Sequence, residues 1–365
     1  MGTLSKSGCA IERGRWTSRG GRAAATFLCT LLAALGIGKA QADQDRLIGL
    51  VEPLTAQKPI KIGVTLVHLN DDFWKGIAYG IVDEAKRSNV KVVQISVAGA
   101  YGNVREQFAQ LNTLKTLGVD YIALGAASFN GYDPVIKQIR NAGIKLLAAG
   151  IPVNSPNIAF GVTQDDSAIG KALADAICKK SRQGKVITVP GPPGAEWVRL
   201  RYVGFMDELK KCEGLTAYPG AFVGSLGLQE GLAQTSDLLL KHPDANFVYT
   251  PEISLGMGAA QAIRQMKRHA QVVSSSMVKE AVPMLNDGRL LAVVSEPGIL
   301  MGRLIVQYAI RDKEARPLPH LLTDRGTPYP IVLTPPTLIT PENVKTFRLE
   351  IFEIPPADFR IEVMQ

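Results

Sequence analysis

Histidine, cysteine and aromatic residues are scarce in this chain, and each scarcity removes a class of chemistry. The four histidines are His68, His242, His269 and His320, and none stands at metal-ligand spacing from another or from a cysteine. No metal centre is expected. There is no G-x-S-x-G elbow, no Walker A sequence and no G-x-G-x-x-G after the first strand, and Leu255-Gly-Met-Gly258 lacks a third glycine. No cofactor is therefore implied, and without a nucleophile and base in reach no enzyme is expected. Aromatic side chains make up 6% of the 365 residues, within a hydrophobic share of 46%. Such a composition can bury large cores and, on length, holds about two domains.

The positive charge is unevenly placed. The formal net charge is +8, but six of the 41 lysines and arginines and one of the 33 acids lie in residues 1–42. In that segment Arg13, Arg15, Arg19 and Arg22 precede an apolar run from Ala23 to Ile37, followed by Ala40-Gln41-Ala42. This is the plan of a secretory signal cleaved after Ala42, and about 15 apolar residues are short for a membrane span. The remaining chain carries 35 basic against 32 acidic residues with no basic block. Export to the periplasm is expected, and a nucleic-acid partner is not.

Cys9 and Cys29 fall within the signal, leaving Cys178 and Cys212. Each sits near the C-terminal end of a predicted helix, on either side of one strand. Both helices run antiparallel to the sheet, so their ends share an edge and a disulfide is open to them in an oxidising compartment. Two buried free thiols are the alternative.

From Lys61 onward apolar runs alternate with helical patterns. The stretch KIGVTLVHLNDDFWKGIAYG reads as a buried strand ending at His68, then a helix that Asn70, Asp71 or Asp72 could cap. Strands follow at Val90–Val97, Tyr121–Leu124, Lys145–Ala149 and Ile158–Val162, and the rhythm restarts with a capped helix at Asp165 or Asp166. Further strands are read at Lys185–Val189, Thr216–Val223, Asn246–Tyr249, Gln271–Ser274 and Leu290–Val294, with Ile331–Leu333 inside a Pro-rich tail. This is the βαβ alternation of a doubly wound parallel sheet, present twice. Gly150-Ile-Pro-Val-Asn-Ser-Pro156 suits a crossover between the lobes. The expected division is 58–153 plus 292–320 for the first lobe and 154–291 plus 325–340 for the second. Residues 341–365 form an extension, either an added strand pair or a docked arm.

An open α/β sheet binds ligands at the carboxyl ends of its strands. Asp71, Phe73 and Trp74 follow the first strand, and Tyr101 the second. In the second half Trp197 and Arg199 follow PGPPG, Glu252 follows VYTP, Ser276 follows QVVS, and Glu296 follows LAVVS. Each has a plainer reading: the acids at 71 and 72 as caps, Asp72 the more natural of the two, Phe73 as core, Trp197 with Arg199 as a surface stack. Their shared place at strand ends in both halves makes them candidate ligand residues.

The LNDDFW turn, Asp166-Ser-Ala-Ile-Gly170 opening the second half and Val203-Gly-Phe205 in its next helix resemble the type I periplasmic binding proteins of the ribose-binding class. The resemblance spans about residues 58 to 340. It implies an α/β fold of two doubly wound parallel-sheet lobes joined by a multi-strand hinge, closing over a small solute. Asp71 with Phe73-Trp74, Ala98-Gly-Ala-Tyr101, Val189-Pro-Gly-Pro192 and Ile331-Val-Leu-Thr-Pro335 are similar to the branch that senses trimethylamine N-oxide and acts on a membrane sensor histidine kinase. In that branch an aromatic is expected where Ser275 or Ser276 stands. Sugar binders carry an Asp-Arg pair after the fourth strand, whereas here that place reads Gly150-Ile151.

The resemblance implies a methylamine ligand. A methylated ammonium centre donates no hydrogen bonds and is held by aromatic faces, each contributing about 0.5 to 2 kcal/mol, with an acid for charge. Phe73, Trp74, Tyr101 and Trp197 are the expected faces, Asp71 or Glu296 the acid, and Arg199, the Trp197 indole or the Tyr101 hydroxyl the donor to an N-oxide. The competing reading is the substrate-binding protein of an ABC importer, with a permease as partner. A LacI-type regulator shares the fold but needs an N-terminal helix-turn-helix, where this chain offers a signal.

Overall fold

The computed structural model describes residues 47–361, so the expected signal, with Cys9 and Cys29, lies outside the described residues. β1 (Lys61–Leu66) is buried at every position after the first, as a central parallel strand must be. It feeds α1 (Asp72–Arg87), whose Ile77, Ala78, Ile81 and Ala85 make one apolar stripe. β2 (Lys91–Val97), α2 (Val104–Thr116), β3 (Tyr121–Leu124), α3 (Asp133–Asn141), β4 (Lys145–Gly150) and β5 (Phe160–Gln164) follow.

The second half repeats the plan with α4 (Asp166–Lys180), β6 (Gly184–Thr188), α5 (Glu196–Leu209), β7 (Leu215–Pro219), α6 (Leu228–Lys241), β8 (Phe247–Tyr249), α7 (Ile253–Gln265), β9 (Gln271–Ser275), α8 (Ala281–Asn286) and β10 (Leu290–Ser295). Then come α9 (Gly298–Lys313), β11 (Ile331–Thr334), β12 (Thr337–Ile339) and the single-turn α10 (Leu349–Phe352). The two sheets have the orders β11-β5-β4-β3-β1-β2 and β12-β10-β9-β8-β6-β7, parallel except for β12 against β10. Each order reverses beside its first strand, so each lobe has a switch point there.

Strand pairing moves the expected lobe boundaries. β5 pairs with β4, Leu147 opposite Phe160, and β11 pairs with β5, Ile331 opposite Gly161, so both belong to the first sheet. β10 pairs with β9 and belongs wholly to the second. The chain crosses between lobes at 164–166, 295–298 and 334–337. The loop Gly150–Pro156 is not a crossover but the helix-free link between β4 and β5, held inside the first lobe by the Val153 N–H donating to the Tyr329 hydroxyl at 2.9 Å.

α1 and α9 cross in close contact. A Cβ at Gly80 would lie 2.1 Å from the Ile299 carbonyl oxygen, so this glycine serves the helix–helix contact. Cys178 and Cys212 form a disulfide, their Cα atoms 5.9 Å apart, at the ends of α4 and α5 away from the cleft. Of the two expectations for the tail, the docked arm is what is observed: after β12 it forms one helical turn and lies across both lobes.

Candidate functional site

Where β1 ends, Asp71 takes extended backbone (φ −115°, ψ 166°) and its Oδ1 accepts the Trp74 N–H at 2.9 Å. Asp71 is thus the cap, and Asp72, expected in that role, is the first helical residue. The carboxylate keeps an oxygen for the cleft: Oδ2 lies 3.7 Å from Nε2 of His68, and the side chain is 51% exposed. Burial holds His68 below its ordinary pKa, so it stays neutral and leaves the Asp71 charge uncancelled. Crowding by the walls, assisted by Glu296 facing it from the second lobe, pushes Asp71 up to about 6, and its exposure lets water moderate that push.

Trp74 is fully buried, not a face at the cleft mouth. Its ring lies on the backbone beyond β3, where a Cβ at Gly125 would fall 2.4 Å from its Cζ3. Only glycine admits an indole at this switch point. The indole N–H donates to the Tyr101 hydroxyl at 3.2 Å, and His68 stands edge-on to the Tyr101 ring at 5.6 Å. Tyr101 is the aromatic left open, with 39% of its surface accessible. Phe73, half-buried, lies over Gly150, where a Cβ would meet its Cζ at 3.2 Å. The missing Asp-Arg pair is therefore replaced by an aromatic ring seated on bare backbone.

The second wall is built on Arg201, which residue-by-residue reading overlooked in favour of Arg199. Arg199 points outward and pairs with Glu196 at 2.6 Å, 54% exposed. Arg201, two positions on and so about 200° around α5, points inward. It is 1% exposed and grips Glu296 with both terminal nitrogens, at 2.6 and 2.8 Å, while Nε donates to Asp166 at 2.9 Å. Its Nη1 also donates to the Pro251 carbonyl and the Ser275 hydroxyl, so the guanidinium is saturated. Trp197, one turn earlier, stacks on it at 4.5 Å and also packs on the first lobe's core. The surface stack of Trp197 with Arg199 is not formed; Trp197 lies on the buried Arg201 instead.

Glu296 is the hub. It accepts further hydrogen bonds from Ser275, Ser276 and Gln164 at 2.8, 2.6 and 2.8 Å. Burial would raise its pKa, but Arg201 and these donors hold it below the usual carboxylate range. Ser276 adopts a left-handed φ of 67° to reach it. Asp166 is pushed up to about 6 by burial, which outweighs Arg201. Glu252 spends both oxygens capping α7, accepting from Ser254 and Leu255 at 2.8 Å each. Glu353, from the tail, accepts the N–H groups of Met277 and Glu296 at 2.8 and 3.1 Å. Arg201, Gln164 and Glu353 had no sequence signal beyond being polar residues inside apolar surroundings.

Arg201 is shared by Asp166 and Glu296, while Asp71 stands apart from it on the first lobe and burial raises the Glu353 carboxyl well above its ordinary range. Among the described residues no group of three His, Cys, Asp or Glu side chains could hold a metal ion.

Two α/β lobes of the same topology, three crossings and a polar cleft at the strand ends define a type I periplasmic binding fold. Residues 62–312 match the family model described as a periplasmic binding protein domain, and the chain belongs to that family. It is similar to the ribose import binding protein RbsB of Bacillus subtilis (strain 168), 25% identical over 255 residues covering 69% of this chain and 81% of that one. The periplasmic protein TorT of Escherichia coli O157:H7 is 25% identical over 285 residues, 78% of this chain and 80% of that one. A crystal structure described as a sugar ABC transport system substrate-binding protein from Bordetella parapertussis 12822 is 55% identical. It covers 87% of this chain and 100% of its own, with a TM-score of 0.84.

Proposed function

We propose that the protein is a periplasmic solute receptor whose inter-lobe cleft takes a small methylated amine, trimethylamine N-oxide or a relative, and presents the closed lobes to a membrane sensor histidine kinase. The observation that carries this reading is the unequal use of charge. Arg201 is saturated by Glu296, Asp166, Ser275 and Pro251, whereas Asp71 keeps an oxygen open to the cleft. An anionic solute would find no free donor on that guanidinium. A cationic centre would find Asp71 beside the rings of Phe73, Tyr101 and Trp197.

The polar end of an N-oxide also has a partner. Because the Trp74 indole occupies a lone pair of the Tyr101 hydroxyl, the hydroxyl proton is left to donate into the cleft. Burial raises the Tyr101 pKa, which keeps that proton in place at neutral pH. The basic and apolar N-terminus and the periplasmic relatives support the location, and the motifs shared with the branch that acts on a membrane sensor histidine kinase support such a partner.

The second reading, a sugar importer's binding protein working with an ABC permease, is favoured by the 55% identity to the Bordetella protein. Calorimetric titration of the purified protein with trimethylamine N-oxide, tetramethylammonium, ribose and galactose separates the two. Heat from the amines alone supports the first; heat from a sugar and none from any amine overturns it.

A further inference from the structure

Neither lobe nor cleft accounts for the tail after β12. It begins on the second lobe, where β12 pairs with β10 and Val344, Phe347 and Leu349 pack on that lobe's core. α10 then delivers Glu353, 3% exposed, to the backbone of Met277 and Glu296. One amide follows Ser276 at the end of β9 and the other is that of Glu296 at the end of β10, the two strand ends that feed the Arg201 network.

One residue later the tail is on the other lobe. The Glu353 carbonyl oxygen lies so close to α1 that a Cβ at Gly76 would fall 2.9 Å from it. Phe359 meets Tyr79 of α1 edge-on at 5.0 Å, and Ile361 packs on the first lobe's core. Beside the segment is a cavity of about 360 Å³ lined by Leu69 and Lys75 of one lobe, Lys279 and Glu280 of the other, and Ile354, Phe359 and Ile361 of the tail. Pro355-Pro356 stiffens the crossing.

We propose that residues 340–361 are a latch across the cleft, with Glu353 as the catch on the second lobe and Phe359 as the catch on the first. Opening the lobes moves α1 away from Met277, and a tail held at both ends must let go of one. The apolar contacts of Phe359 and Ile361 therefore favour the approach seen here, in which Trp197 also reaches the first lobe's core. Because a ligand selects the closed arrangement, the latch raises apparent affinity by enlarging the closed fraction of the free protein. Glu353 acts as a positioning residue, since the amide it holds belongs to Glu296.

The test uses spin labels on cysteines placed at Asn130 and Ser225, both exposed beyond strand ends on opposite lobes. Distances are measured in the full chain, in Phe359→Ala and in a chain ending after Glu353. Phe359 is half-buried on the outer face of α1 and belongs to neither lobe's core, so its substitution should leave both lobes folded, which circular dichroism of the variant checks. The expected result is a shift to longer and broader distances in both variants without ligand, and a Kd for trimethylamine N-oxide about tenfold weaker. Distances that superimpose on those of the full chain, or shorten, overturn the latch. The distance readout needs no ligand, so it fails or succeeds separately from the methylamine reading.

Discussion

The indole N–H of Trp74 donates to the hydroxyl of Tyr101 across 3.2 Å, joining a fully buried ring to one that faces the cleft. The first is the scaffold of the second. Trp74→Phe keeps most of the volume and removes the donor. It should weaken trimethylamine N-oxide binding by about three- to tenfold, in line with one lost hydrogen bond, with little change in melting temperature. Trp74→Ala opens a cavity and should cost about 3 to 5 kcal/mol in chemical denaturation. Unchanged affinity in both variants would remove Tyr101 from the ligand reading.

Gly150 carries a second expectation. Its φ is +77°, and a Cβ there would lie 2.5 Å from Cδ1 of Ile77 and 3.2 Å from Cζ of Phe73. Gly150→Ala should destabilise the protein by about 2 to 4 kcal/mol, combining left-handed strain with overpacking. Affinity should fall as well, because Phe73 has to move. Urea unfolding and calorimetry on the same variant read the two effects.

The pH dependence of binding follows from Asp71. Its carboxyl is raised to about 6 in the free protein, so it is ionised above that pH and increasingly protonated below it. A permanent cation such as tetramethylammonium binds the ionised form and releases protons on binding. Affinity should be flat from pH 8 to 7 and weaken below about 6, approaching tenfold per pH unit. The ligand has no titrating group, so a profile that stays flat down to pH 5 would show that Asp71 is not its counter-charge.

The Cys178–Cys212 bridge closes a separation of 34 residues. Cys212→Ser should lower unfolding free energy by about 4 kcal/mol on the loop-entropy model. Ligand affinity should be preserved, because the bridge lies at the opposite ends of the strands from the cleft. Thermal melts with and without reductant, beside a titration of the variant, check both halves.

Much of this architecture is written in local periodicity. The apolar run Lys61–Leu66 and the spacing of Ile77 and Ile81 identify strand and helix without any partner, because each depends on the geometry of a single segment. The twofold recurrence of that unit indicates two lobes, and the placing of acids and aromatics after strands indicates where a ligand would lie.

What the tertiary structure decided is which residues meet. β5 and β11 read as strands, but only their mutual pairing assigns both to the first sheet. Arg199 and Arg201 are equivalent in composition, and packing of α5 sends one to solvent and the other onto Glu296, 95 positions away. Glu353 lies 57 positions from the amide it holds. Contacts of this kind depend on how elements pack rather than on a repeat along the chain, which is why the strands and helices were legible in the sequence and the Arg201 network and the tail were not.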